Sequence, residues 1–96
     1  MDTLKVSSAS SPGAVAGAIA NSIREFGEAE VQAIGPRAVN QAVKAMAIAR
    51  GYLATSAVDL YFAPAFSSVS ISEEERTAIL FSVRTRHPFS AVRHVA

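Results

Sequence analysis

The run Glu30-Val31-Gln32-Ala33-Ile34-Gly35-Pro36-Arg37-Ala38-Val39-Asn40-Gln41-Ala42-Val43-Lys44-Ala45-Met46-Ala47-Ile48-Ala49-Arg50 contains a strand, a turn and a helix in direct succession, and its reading decides the fold. Glu30 to Ile34 reads as a strand. Gly35-Pro36 makes the turn, with proline at a helix start, where the missing amide has no partner to lose. The helix predicted from Arg37 to Arg50 places Val39, Val43 and Met46 on one face at spacings of four and three. Arg37, Asn40, Gln41 and Lys44 occupy the opposite face, and Arg37 and Lys44, seven residues apart, stack about two turns from one another. Ile48 and Tyr52 continue that side one and two turns on, an apolar end to a polar face that suggests a subunit contact.

The same device occurs earlier. Thr3 to Ser7 alternates as a short strand, and Ser8 to Gly13 is a loop delivering a helix, with Ser11 as N-cap and Pro12 at the first helical position. Val15, Ile19, Ile23 and Phe26 form the apolar stripe of that helix, and Gly27 stops it in the left-handed conformation. Further on, Val58 to Ala63 alternates as a strand that Pro64-Ala65-Phe66 ends, and Thr77 to Arg84 alternates as another. Ser67 to Arg76, rich in serine and acid, is too short for a crossover helix and reads as a long hairpin loop between antiparallel strands. The order is β-α-β-α-β-β. Right-handed crossovers then place both helices on one face of a four-stranded mixed sheet, a two-layer α/β (α+β) sandwich.

With 96 residues there is room for one domain, expected over residues 1–86. Residues 87–96 form a tail without a clear period, in which Pro88 blocks simple continuation of the last strand. Half the residues are apolar, but 19 of them are alanines, so burial is thin and a partner chain is expected to complete it. The absence of cysteine excludes disulfides, thiolate nucleophiles and cysteine metal sites. No apolar run approaches the roughly 18–20 residues of a membrane span. Met1 to Lys5 lacks a signal-peptide pattern, so the expected location is the cytoplasm. The net charge is +1 but zoned: Gly35 to Gly51 carries Arg37, Lys44 and Arg50 without an acid, Ser67 to Arg76 sums to −2, and the segment after Arg76 holds three arginines unopposed.

Catalytic signals are poor, and no enzyme activity, cofactor, metal or small-molecule substrate is expected. His87 and His94 stand in the tail, seven apart and without acidic neighbours. Glu73-Glu74-Glu75 reads as a solvated run, because carboxylates adjacent in sequence mostly diverge. No serine has a base placed by the pattern, and no phosphate-loop or dinucleotide motif is present. The helix starts are more informative. Each offers unpaired amides and the positive end of a helix dipole, supplemented by Ser10 and Ser11 at the first and by Arg37 and Asn40 at the second. Both follow parallel strands and so open on one edge, where a phosphate backbone can meet both; the plainer reading is ordinary capping.

The segment Ala33 to Gly51, the opening Leu4-Lys5-Val6-Ser7 with Ser11-Pro12, Val58-Asp59-Leu60 with Pro64-Ala65-Phe66, and Glu74 to Ile79 together resemble the bacterial stage V sporulation protein S family over about residues 2–86. That family is in turn similar to Alba, the archaeal chromatin protein, and the resemblance implies the same β-α-β-α-β-β fold, a dimer and binding of DNA or RNA. Against Alba's second-helix pattern this chain keeps the arginine as Arg37 and has Gln41 in place of the lysine. Alba's basic pair before the first helix falls on Ser10 and Ser11, and its basic hairpin on the acidic Ser67–Arg76. For the family itself the resemblance implies a non-enzymatic role in bacterial development.

Two functions are therefore expected in alternative. In the first, the chain is a regulator that meets nucleic-acid backbone as a homodimer or higher homo-oligomer. Its contacts would be Ser10, Ser11, Arg37, Asn40, Gln41 and Lys44, with Arg84 and Arg86 adding charge from the last strand. In the second it is a protein-interaction or assembly module without nucleic acid, associating through Ile48, Tyr52 and Phe89.

Overall fold

A computed structural model describes residues 1–87. The elements follow in the order β1 (Leu4–Val6), α1 (Pro12–Phe26), β2 (Glu28–Ala33), α2 (Pro36–Ala54), β3 (Leu60–Ile71) and β4 (Glu74–Thr85). The sheet order is β1-β2-β4-β3, with β1 parallel to β2 and the remaining pairs antiparallel. The two helices pack on each other and on one face of β1 and β2, giving the expected two layers.

Both helices begin and end as local chemistry dictates. The Ser11 hydroxyl caps α1 by accepting from the Ala14 amide at 3.4 Å, and Pro12 follows it. Gly27, at φ 79°, closes α1 by donating its amide to the Ile23 carbonyl. At the end of α2, Ala57 takes the left-handed conformation at φ 60°, its amide reaching the Ala54 carbonyl and the Val58 amide the Leu53 carbonyl. This is a Schellman closure, and buried Val58 and Leu53 supply its apolar contact.

The core is built mainly from small residues. From α1 come Ala16, Ile19, Ala20 and Ile23; from α2 come Ala38, Ala42, Ala45, Met46, Ala49 and Leu53. The expected stripe on α2 is thus rotated. Val39 is only partly buried and Val43 is 41% exposed, while alanines face α1 and the sheet. Close helix approach selects methyl groups at the contact and pushes branched side chains to its flank. Phe26, expected inside, is likewise exposed, because α1 ends there and the chain turns at Gly27. Beneath the helices, Ala29, Val31 and Ala33 of β2 and Phe81 and Val83 of β4 complete the core, with Phe62 edge-on to Phe81 at 5.2 Å.

The expected long loop is a ribbon. β3 runs unbroken through Pro64, which lies opposite Phe81 on an edge strand, where a missing amide interrupts no ladder. Pairing continues from Ser67↔Ala78 to Ile71↔Glu74 and closes through Ser72 and Glu73, both at positive φ as a two-residue primed turn requires. β2 stops pairing with β4 at Ala33↔Ile79, so the last five pairs form a two-stranded arm beyond the sheet. Their composition is mostly polar, with Val69 and Ile71 on one face and Ala78 buried at the root.

Candidate nucleic-acid interface

The parallel strands β1 and β2 both end at one edge of the sheet, and each hands the chain to a helix there. The first loop is held by the Ser7 amide donating to Ser10 Oγ at 2.9 Å and the Ser10 amide to the Ser7 carbonyl. Gln41 ties the two helix starts together, its Nε2 donating to the Ser10 carbonyl at 3.0 Å. Gly35 precedes α2 at φ 88° and ψ 160°, a conformation open essentially to glycine alone, and no side chain caps this helix. Arg37, Asn40 and Lys44 are exposed on α2, and Lys5 is exposed on β1.

A cleft of about 660 Å³ opens at the same edge. Lys5 to Ser8 and Gly35 to Ala38 form one side, Gln32 and Ile34 belong to its lining, and Val69, Ser70 and Ile71 of the arm form the other side. Gln32 Nε2 also donates to Ser67 Oγ at 3.1 Å, joining β2 to the root of the arm. Ser68 Oγ bonds to the Glu75 carboxylate across the ribbon.

The opposite end of the sheet carries its arginines differently. Asp59 accepts Arg50 Nε at 2.7 Å on one oxygen and Arg86 Nε at 2.8 Å on the other. The Arg50 hydrogen bond, reinforced by the charge of both guanidiniums, holds the Asp59 carboxyl below its ordinary value. Arg86 also lies 5.7 Å from the centre of the Tyr61 ring. On the sheet face away from the helices, Arg84 Nη2 meets Glu30 at 2.8 Å and Glu28 at 3.0 Å, and Ser82 donates to Glu30 as well. The hydrogen bond to Glu30 leads the forces that hold the Arg84 guanidinium still more firmly protonated.

The sequence-selected residues therefore divide. Ser10, Ser11, Arg37, Asn40 and Gln41 lie around the two helix starts, and Lys44 stands about two turns further along α2. Arg84 and Arg86 do not join them: Arg84 pairs in register with Glu28 at the beginning of β2, about 17 Å of strand from its end. Among the described residues, no ion pair engages Lys5, Arg37 or Lys44. Lys5 and the arm residues Val69 and Ile71 are additions that sequence pattern did not supply, since a hairpin loop was expected where the arm stands. Ile48 and Tyr52 are exposed on α2, whereas Phe89 lies outside the described residues. A larger apolar surface flanks β3: Val43, Phe62 and Phe66 are exposed, Phe66 to 82%, while Tyr61, next to Phe62 along the strand, faces the other side of the sheet. Among the described residues, no helix is long and apolar enough to cross a membrane.

The β-α-β-α-β-β order, the mixed four-stranded sheet and the two helices on one face define a two-layer α+β sandwich. Within that class the chain belongs to the Stage V sporulation protein S family, whose model matches residues 2–86. It is thereby a sporulation-related protein.

Proposed function

We propose that this chain is a non-enzymatic cytoplasmic regulator that binds nucleic-acid backbone as a homodimer through the edge where α1 and α2 begin. The observation that carries the reading is the cation pair at that edge: Lys5 and Arg37 line one cleft there, and with Lys44 further along α2 they stand outside the ion pairs described, as do Arg24 and Arg76 elsewhere, while Arg50, Arg84 and Arg86 are held by carboxylates. Three cations per protomer double to about six phosphate contacts in a dimer, for a salt slope near −5 on duplex and about −4 on a single strand. The dimer surface is assigned to the apolar flank of β3, with Phe62, Phe66 and Val43, which is larger than the Ile48 and Tyr52 pair.

The test is fluorescence anisotropy of labelled duplex DNA, single-stranded DNA and RNA, titrated with the protein from about 50 to 200 mM salt, where phosphate contacts weaken steeply. Micromolar binding with a slope of several units is expected, together with a loss of tenfold or more in Arg37→Glu at an unchanged melting temperature. Arg37→Glu binding as tightly as the parent removes this site. Light scattering of Phe66→Arg, expected to be a monomer, checks the dimer surface. The exposed β3 flank also favours the second reading, an assembly module; a dimer that binds no nucleic acid at low salt would establish it over the first.

A further inference from the structure

We propose that the cleft between the arm and the start of α2 receives an unpaired nucleotide, so that the nucleic acid this chain binds is single-stranded. The inference rests on the nucleic-acid reading above and specifies its ligand.

Three observations carry it. The cleft, at about 660 Å³, falls within the roughly 300–1,000 Å³ of small-molecule pockets, so it has room for a single nucleotide. Its walls are divided by chemistry. Val69 and Ile71 of the arm stand on one side and Ile34 and Pro36 belong to the other, an apolar slot of the kind that holds an extruded base. Lys5 and Arg37 line the same cleft, and no carboxylate is among its lining residues, so a phosphate attached to that base meets two cations there; Glu74, opposite Ile71, lies at the far end. The third observation lies just beyond the slot. The turn places Glu73, Glu74 and Glu75, all exposed, at the end of the arm. A second phosphate strand laid across the arm meets this acidic end, whereas a single strand threaded along the cleft need not. Ile71, 43% exposed on a polar ribbon, also gains a role as the outer wall of the slot.

The experiment titrates the full chain into fluorescein-labelled 12-mers of single-stranded RNA, single-stranded DNA and the corresponding duplexes at about 50 mM salt. At least tenfold tighter binding of a single strand than of its duplex is expected; the RNA and DNA arms show which sugar the cleft prefers. The variants Ile71→Ser and Val69→Ser/Ile71→Ser remove the apolar wall without changing charge, and the single-strand preference is expected to fall at least fivefold while duplex affinity stays constant. Far-UV circular dichroism verifies their fold, and the single variant, on an exposed side chain, serves if the double variant unfolds. Equal or tighter duplex binding overturns the proposal and leaves the nucleic-acid reading standing. A single-strand preference that survives in a folded Ile71→Ser variant overturns the assignment to this cleft. Failure to bind any of the four probes overturns both readings.

Discussion

The two ends of α2 are built on opposite plans. Its start has no side-chain cap, a glycine in a conformation closed to other residues, and neighbouring cations outside every ion pair described. Its end is closed on itself: a Schellman turn satisfies the last carbonyls, Val58 seals against Leu53, and Asp59 holds both Arg50 and Arg86. The difference teaches that counting basic residues does not locate a charged site. Arginines occur at both ends, but at the start of the helix Arg37 stands outside the ion pairs described, whereas at its end Arg50 and Arg86 share Asp59.

Three substitutions probe this contrast. Gly35→Ala is expected to have the largest effect, a loss of about 2–3 kcal/mol in urea unfolding, because the start of α2 depends on a backbone conformation that L-residues avoid. An added Cβ at Gly35 meets nothing within 4 Å, so the cost is conformational rather than steric. A loss under about 0.5 kcal/mol would mean that the loop relaxes and that the start of α2 is not rigidly set. At the other end, Ala57→Gly is expected to stabilise by about 0.5–1 kcal/mol, since alanine there holds a left-handed φ that glycine adopts freely. Destabilisation by this change, seen in the same unfolding curves, would place the closure in contacts of the Ala57 methyl instead.

Asp59→Asn is expected to act most weakly, and only through pH. Its carboxyl lies below the ordinary aspartate value of 3.8 in the folded chain, so its contribution is fully present above that value and is lost as pH falls through the folded one. The urea midpoints of parent and variant should therefore differ at pH 6 and converge in acid. A gap that does not narrow on acidification would separate the arginine pairing from the pH dependence of stability.

Much of this was readable from residue order. Ser11-Pro12, Gly27 and Gly35-Pro36 mark helix boundaries through backbone chemistry that depends on few neighbours, and the structure has them there. The face of α2 was less readable, because hydrophobic weight points to Val39 and Val43 while close packing selects the alanines. The arm was hidden for a different reason: beyond the sheet its only large apolar residues are Val69 and Ile71, too few to set a strand period against the serines and acids around them. For the site, the cluster around Arg37 was legible from helical spacing. The capture of Arg84 was not, since its partner Glu30 is 54 residues away and only strand register brings them together.

The alanine seam between the helices has a consequence for how the protein can vary. At Ala16, Ala20, Ala38, Ala42, Ala45 and Ala49 every replacement except glycine adds volume to a contact already set by methyl groups. Drift at these six positions is therefore one-sided: there is little left to trim, and each enlargement pries the helices apart. Because the seam sets the spacing of the two helices, such an enlargement would shift the helix starts from a position far from Arg37 and the cleft.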